Sequence, residues 1–271
     1  MRASLTARTM RTTMAKYAGV DLSYAQANVD YKALAKARIQ GKPLKFAMLR
    51  LGHGRTKDKL FDTHYKGCKA AGIKKVGVYL WSYATTPAEA RVEANWVLEQ
   101  LRNYEIDYPV AMDFEDENVL AAGLLRNDYT NIVRAFLSTI KRGGYYPVLY
   151  TGKYILERNL SGEILSEYDL WLAQYTKEGW QAQLGQTMWQ FTVAGHPQWD
   201  YARQGGVDGV KGQCDCNWSY VGYAAKIKRL GLNKPKTYYK LTCEKTVEKL
   251  ELAKIQAQLR AMGFNVSTKE E

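Results

Sequence analysis

The sequence predicts an α/β fold, an irregular (β/α)8-like barrel of the TIM type, with a small βαβ appendage at its C-terminal end. Short apolar runs typical of buried strands alternate with segments of helical periodicity, which is the pattern of a parallel sheet. About eight such runs can be counted, the number that closes a barrel. The chain of 271 residues exceeds the roughly 250 that such a barrel needs. Helices are scarce in the second half, so we expect an irregular barrel.

The predicted strands are short and rich in Val, Leu, Met and aromatic residues. In chain order they are residues 17–22, 46–51, 76–81, 110–114, 147–151, 170–174, 188–191 and 213–217.

The predicted helices have recognisable start and stop signals. Thr86 and Glu89 form a capping box around Pro87, which occupies the first helical position. Glycines stop the other helices, as Gly72 does. The predicted helices of the barrel are residues 29–39, 61–71, the segment that follows Thr86, and 126–141.

The most informative motif is the acidic run that ends the fourth strand, Asp113-Phe114-Glu115-Asp116. Side chains alternate along a strand, so Asp113 and Glu115 point to one side, with Cα atoms roughly 6.6 Å apart. Paired carboxylates suit hydrolysis of a glycosidic bond, and their mutual repulsion keeps one of them protonated near neutral pH. The alternative is an acidic cap on an ordinary strand.

Two further acids end strands at the two extremes of the barrel sequence. Asp21 ends the first strand and Asp215 lies in the last one. If barrel closure makes these strands neighbours, four carboxyl groups line one mouth, because the active site of such barrels lies at the carboxyl ends of the strands.

Aromatic and amide side chains follow the same strand ends. Aromatic rings offer apolar faces to sugar C–H groups, while phenol and indole groups form hydrogen bonds at the rim. Core packing is the alternative for each ring. The candidate substrate-binding residues of this kind are Tyr83, Tyr150, Trp171, Gln174, Tyr175, Trp189 and Gln190, and Tyr79 and Trp81 also lie at a strand end.

Composition narrows the class of partner. The net charge of +12 favours polyanions, either nucleic acid or an acidic wall polymer, and no nucleic-acid-binding motif is present. The four cysteines lack zinc spacing, so we expect neither a metal nor a cofactor. No apolar stretch approaches the roughly 18 residues that span a bilayer, so we expect no membrane insertion.

We divide the chain into three parts. Residues 1–14 are basic, lack the apolar region of a secretory signal, and read as a leader or disordered arm. Residues 15–232 form the predicted catalytic barrel. Residues 237–271 are too few to bury a core easily, and we expect them either to bind the cell wall or to oligomerise, as strands at 238–241 and 264–266 around a helix at 252–262.

The segment Gly19–Gln26 resembles the opening G-V-D-x-S-x-x-Q strand of the glycoside hydrolase family 25 lysozymes. Later blocks resemble that family in the same order, from about Tyr17 to about Tyr223. These blocks are FAMLRLGHG, GVYLWSYA, VAMDFEDEN, YPVLYTG, LWLAQY, MWQFT and VDGVKGQCDCNWSY. His53, Trp81 and Cys216 depart from the family pattern, but none replaces a carboxylate.

The resemblance implies a muramidase that cleaves the β-1,4 bond from N-acetylmuramic acid to N-acetylglucosamine in peptidoglycan. By position Glu115 is the general acid and Asp113 the second carboxylate, while Asp21 and Asp215 bind substrate and raise the pKa of Glu115. Tyr150 supplies a hydroxyl group as a hydrogen-bond partner at the same site. Retaining, inverting and substrate-assisted routes all remain open.

We therefore expect a phage endolysin or an autolysin that is made in the cytoplasm, acts at the bacterial cell wall and is attracted to anionic wall polymers. Two alternatives remain. One is a barrel that binds peptidoglycan without cutting it, which the intact acids disfavour. The other is a chitinase-like glycosidase, whose D-x-x-D-x-D-x-E pattern is broken here by Tyr108 and Ala111.

Overall fold

The computed structural model describes residues 17–176, 184–234 and 249–261. The chain divides into two compact units, Met1–Pro235 and Lys236–Glu271. The leader expected at residues 1–14 lies outside the described residues. So do the strands expected at 238–241 and 264–266.

Ten strands lie in the described residues of the first unit. They are β1 (Tyr17–Leu22), β2 (Arg38–Ile39), β3 (Lys42–His53), β4 (Thr56–Lys57), β5 (Val76–Trp81), β6 (Val110–Asp113), β7 (Pro147–Gly152), β8 (Asp169–Ala173), β9 (Met188–Ala194) and β10 (Cys214–Ser219).

The helices between them are α1 (Tyr31–Leu34), α2 (Phe61–Ala70), α3 (Pro87–Gln100), α4 (Glu117–Leu120), α5 (Arg126–Arg142), α6 (Lys153–Asn159), α7 (Ile164–Glu167) and α8 (Tyr223–Leu230). The second unit contains α9 (Lys249–Ala261), which covers most of the helix expected at 252–262. No helix in the described ranges is long and apolar enough to cross a membrane.

Eight of the strands close into a barrel in the order β1, β10, β9, β8, β7, β6, β5 and β3, and β1 pairs with β3 to complete the ring. The predicted α/β barrel is therefore confirmed. One detail differs, because β10 runs antiparallel to both β9 and β1, whereas the other neighbours in the ring are parallel. Residues 195–213 return from β9 without a crossover helix, and a return of this kind produces antiparallel pairing.

Side chains alternate between two apolar clusters, one inside the barrel and one between the barrel and its helices. On β3, for example, Phe46 and Met48 point inward while Ala47 and Leu49 point toward the helices. Gly19 leaves room for the Phe46 ring, since a Cβ there would lie 2.4 Å from it. Strand alternation thus assigns each barrel residue to the lumen or to the outer layer.

The prediction of a helix at residues 29–39 is largely wrong. Only α1 forms there, capped by the Asp30 side chain, and β2 then turns back onto β3. The two-residue turn is made by Gln40 and Gly41, whose φ angles are 47° and 75°. Positive φ at both positions is the geometry of a tight hairpin turn, so the glycine interrupts the helical pattern.

The helix predicted after Thr86 is confirmed in detail. The Thr86 hydroxyl accepts the Glu89 N–H, and the Glu89 carboxylate accepts the Thr86 N–H at 3.2 Å. Pro87 occupies the first turn of α3 as expected. The helix expected at 126–141 is also confirmed, as α5.

Candidate active site

A cavity of about 200 Å³ lies at the carboxyl ends of the parallel strands. All four predicted carboxyl groups reach it. Its lining is formed by Asp21, Ser23, Arg50, Tyr79, Trp81, Asp113, Glu115, Tyr150, Trp171, Tyr175, Gln190 and Asp215.

Barrel closure brings the first and last strands together, which was the condition for the four acids to share one mouth. Asp21 on β1 and Asp215 on β10 are directly opposite each other in the antiparallel register. Asp215 lies near the start of β10, and it reaches the mouth because β10 runs against its neighbours. Asp113 ends β6 on the other side of the cavity, and Glu115 follows it in the loop before α4.

Two amide side chains hold the Asp21 carboxylate. Gln190 Nε2 donates to Asp21 Oδ2 over 3.0 Å, and Asn217 Nδ2 donates to the same oxygen over 2.7 Å. All three side chains are buried, Asn217 completely. Hydrogen bonds of this kind favour the ionised form of a buried carboxyl group.

Neighbouring donors fix the orientation of these amides. The Trp171 indole N–H donates to Asn217 Oδ1 over 2.8 Å. The hydroxyls of Tyr150 and Tyr175 both donate to Gln190 Oε1, over 2.9 and 2.6 Å. An indole nitrogen can only donate, so the Asn217 oxygen faces Trp171 and its NH₂ faces Asp21. The result is a connected network from the barrel wall to Asp21.

All four carboxyl groups have raised pKa values, and burial is the largest cause in each case. Burial raises the pKa of Asp21 to about 6, against the lowering effect of Asn217 and Gln190. Burial and the Asp21 charge raise the pKa of Glu115 to about 7. The pKa values of Asp113 and Asp215 lie well above the ordinary value, through burial and then neighbouring carboxylates. Glu115 can therefore carry a proton at neutral pH.

Asp113 has an unsatisfied oxygen in the cavity wall. Its Oδ1 atom is buried and has no hydrogen-bond partner among the described residues. Buried carboxyl oxygens are normally hydrogen-bonded, and exceptions are often functional. The unpaired, buried oxygen adds to the desolvation that raises the pKa of Asp113.

Arg50 is the cationic side chain of the cavity lining. Its Nε donates to the buried Asp58 carboxylate over 2.8 Å, and its guanidinium lies 4.4 Å from the Tyr24 ring centroid. The positive charge lowers the pKa of Asp113, against the larger raising effects of burial and Glu115. Arg50 thus offsets part of the repulsion among the carboxylates.

Two acidic side chains, Asp116 and Glu93, form hydrogen bonds to the part of the cavity wall around Trp81. The Trp81 indole donates to Asp116, which also caps α4. Glu93 on α3 accepts the Ser82 hydroxyl at 2.5 Å and the Tyr83 N–H at 3.0 Å. Burial raises the pKa of Glu93. These contacts fix the loop that leaves β5 at the cavity.

Three residues expected at the mouth do not line the cavity. Trp189 belongs to the outer apolar cluster, because its neighbour Gln190 points inward and alternation sends Trp189 outward. Gln174 accepts the Trp189 indole N–H through its backbone carbonyl. Tyr83 is 48 % exposed and packs edge-on against His53.

The sequence did not predict Arg50, Asn217 and Ser23 as site residues. For Arg50 and Asn217, the alternation of side chains along a strand could have shown that they face the lumen. Asn217 lies two positions after Asp215, and Arg50 two positions after the inward-facing Met48. Tyr79 and Trp81, expected only as strand-end aromatics, do line the cavity.

No metal-binding cluster is found in the described ranges, 17–176, 184–234 and 249–261. Cys68, Cys214 and Cys216 are buried free thiols. Cys214 and Cys216 face the outer cluster, so neither thiol points into the cavity.

Comparison with known proteins gives one family. The family model Glycosyl hydrolases family 25 matches residues 20–199. The uncharacterized protein YegX of Escherichia coli O6:H1 is 28% identical over 201 residues, which cover 73% of this chain and 68% of YegX.

Solved structures with the same fold include an endolysin and an autolysin. The CTP1L endolysin has a TM-score of 0.60 at 25% identity, covering 79% of this chain and 70% of that one. The modular autolysin LytC from Streptococcus pneumoniae, solved with a synthetic peptidoglycan ligand, has a TM-score of 0.59 at 21% identity. That match covers 74% of this chain and 46% of LytC.

Proposed function

Because the chain belongs to glycosyl hydrolase family 25, it is a glycoside hydrolase of the lysozyme type, and we propose that it cleaves the β-1,4 bond from N-acetylmuramic acid to N-acetylglucosamine in bacterial peptidoglycan. Support for the substrate comes from the endolysin and the autolysin that share the fold, the latter solved with a peptidoglycan ligand. The site of action is the bacterial cell wall, as for an endolysin or an autolysin.

The observation that carries this proposal is the state of Glu115. Its pKa is raised to about 7, and it shares one cavity with Asp21, Asp113 and Asp215. A general acid works best when its pKa lies near the operating pH. Glu115 protonates the glycosidic oxygen as the bond to the leaving sugar breaks.

Asp113 acts on the same sugar as Glu115. The Asp113 carboxyl group, which lines the cavity, orients the 2-acetamido group so that the acetamido oxygen faces the anomeric carbon. That arrangement favours the substrate-assisted route, one of the known exceptions to the simple two-carboxylate scheme. Asp21, held by Gln190 and Asn217, keeps a negative charge near the positive charge that develops on the sugar ring.

The positive net charge of the protein suits action at the bacterial cell wall. A net charge of +12 attracts the protein to anionic wall polymers over long range, and the attraction weakens as salt screens it. We assign the charge to partner attraction rather than to the bond-breaking step, because the cavity lining is mostly acidic and aromatic.

The direct test is hydrolysis of purified cell walls, with released reducing ends as the readout. Glu115→Gln removes the proton donor, so we expect the rate to fall at least about 100-fold. Wild-type activity falls as pH rises through about 7, because Glu115 then loses its proton.

Glu117→Gln is the matched control. Glu117 is an exposed carboxylate in the first turn of α4, two residues beyond Glu115, so this variant keeps wild-type activity. Equal release of reducing ends by wild type and Glu115→Gln would contradict the role of Glu115. Wall binding by the wild type without any release would show a glycan-binding module instead.

A further inference from the structure

An exposed tryptophan stands beside the cavity on the connection between β9 and β10. Trp199 is 48 % exposed, whereas the cavity tryptophan Trp171 is 1 % exposed. The Trp199 ring lies 6.3 Å from the Tyr175 ring, centroid to centroid, with 23° between the planes. Tyr175 itself lines the cavity. The aromatic surface of the cavity therefore continues outward through Tyr175 to Trp199.

The backbone of Trp199 is fixed to the barrel. Its carbonyl accepts the Thr192 hydroxyl at 3.1 Å and the Val193 N–H at 3.2 Å. The next residue, Asp200, organises the rest of the loop by accepting the N–H groups of Gly195, Gln204 and Gly205. Trp199 thus lies on a hydrogen-bonded loop that is held against β9.

His196 holds the indole ring in place. The two rings are stacked, with centroids 4.3 Å apart and 7° between the planes. The imidazole Nδ1 accepts the N–H groups of Gln198 and Trp199, each over 3.1 Å. The Trp199 ring is therefore held in one orientation although the residue is 48 % exposed. Holding such a side chain in place costs conformational entropy that burial offsets only in part.

The stack is joined to the proposed catalytic groups by hydrogen bonds. Tyr175 donates its hydroxyl to Gln190 Oε1, and Gln190 Nε2 donates to Asp21. Rigid aromatic faces next to a carbohydrate site suit the C–H faces of pyranose rings, and the indole N–H adds a donor at the edge.

From this arrangement we propose that Trp199, ordered by His196 and continuous with Tyr175, forms an outer subsite that stacks against one sugar ring of the glycan strand beyond the ring bound in the cavity. This inference rests on the proposed function, since it assumes a glycan strand as the ligand. The subsite binds longer strands more tightly and does not touch the bond that is cleaved.

The test compares long peptidoglycan strands with the shortest cleaved oligosaccharide. Stacking on one sugar contributes to binding and leaves the bond-breaking step unchanged. In Trp199→Ala we therefore expect kcat/KM on long strands to fall about five- to tenfold through KM, whereas kcat on the short substrate stays within about twofold of wild type. Trp199→Phe keeps a ring and restores most of the loss.

Tyr154→Ala is the control for an exposed aromatic. Tyr154 lies on α6, is 65 % exposed and packs against the Arg158 guanidinium at 4.9 Å. We expect this variant to match wild type on both substrates. Circular dichroism and thermal melting of each variant show that the barrel is folded.

A binding arm separates this inference from the proposed function. In the Glu115→Gln background, the dissociation constant for isolated glycan strands is measured by calorimetry with and without Trp199→Ala. Weaker binding without Trp199 supports the subsite even if the wild type releases no reducing ends. Unchanged binding and kinetics in Trp199→Ala, or an equal loss in Trp199→Phe and Trp199→Ala, would overturn it.

Discussion

The Asp21 carboxylate shows how single residues determine the electrostatics of this site. Each of its two amide partners is turned by a donor on its far side, Trp171 for Asn217 and two tyrosines for Gln190. Asp21 is therefore held by groups that cannot reverse their polarity. Its charge in turn is the second cause, after burial, of the raised pKa of Glu115.

The raised pKa of Glu115 predicts a pH-dependent gain in stability for Glu115→Gln. The folded-state pKa is about 7 against an ordinary value of 4.5, so the folded state binds this proton more tightly than the unfolded state. The stability that the proton provides is complete below about pH 4.5 and is lost as pH rises through about 7. Glutamine cannot ionise and keeps that stability.

We therefore expect Glu115→Gln to be more stable than wild type at pH 8, by at most about 3 kcal/mol, and equally stable at pH 4. Urea denaturation at both pH values measures the difference. Glu117→Gln provides the reference for loss of a nearby exposed carboxylate. A difference that does not change between pH 4 and pH 8 would mean that burial of Glu115 does not govern its ionisation.

At the scale of elements, local signals in the sequence were sufficient for the regular helices and most strands. The α3 capping box, the glycines that follow α2 and α5, and the bounds of β5 all follow from residues next to one another. The region 29–39 failed because a hairpin pairing with β3 overrode its helical pattern. The partner is the next strand along the chain, and the tight turn at Gln40 and Gly41 that pairs them is not visible in the periodicity of apolar residues.

The α3 capping box also supports the site, since α3 carries the Glu93 that holds Ser82 and Tyr83. Thr86→Ala removes the acceptor of the Glu89 N–H, so we expect a loss of about 1 kcal/mol in unfolding free energy. Thr86→Ser retains a hydroxyl and keeps most of that stability. Chemical denaturation measures both variants, and equal stability of Thr86→Ala and wild type would show that Glu89 and Pro87 suffice for the start of α3.

At the scale of the whole molecule, the two ends of the barrel have different tasks. The carboxyl ends of the strands hold the acids, while Asn233 fastens the opposite end. Its side chain donates to the Tyr108 carbonyl and accepts the Tyr146 N–H, each over 2.8 Å, just before β6 and β7. Its φ of 55° is one that asparagine tolerates better than most residues.

Asn233→Ala should therefore reduce stability without changing the reaction. One buried and one partly buried hydrogen bond are lost, together with a favourable backbone conformation. We therefore expect about 2 to 3 kcal/mol of destabilisation, with kcat unchanged at a temperature where the variant is folded. Asn233→Gly loses the same hydrogen bonds but accepts the positive φ, so its stability should lie between those of the wild type and Asn233→Ala. Denaturation and wall-hydrolysis assays check the pair, and a fall in kcat of the folded Ala variant would contradict this division of tasks.

The sequence alone determined the barrel, the strands that carry the carboxyl groups, and the side of each strand on which they lie, because these depend on local periodicity and on strand alternation. Only the tertiary structure decided which side chains meet. Asp215 stands at the start of its strand, and in a fully parallel barrel it would lie at the far end from Asp113. The reversed direction of β10, which follows from the return of residues 195–213 without a crossover helix, moves Asp215 to the mouth. Its place opposite Asp21 depends on pairing between segments almost 200 residues apart.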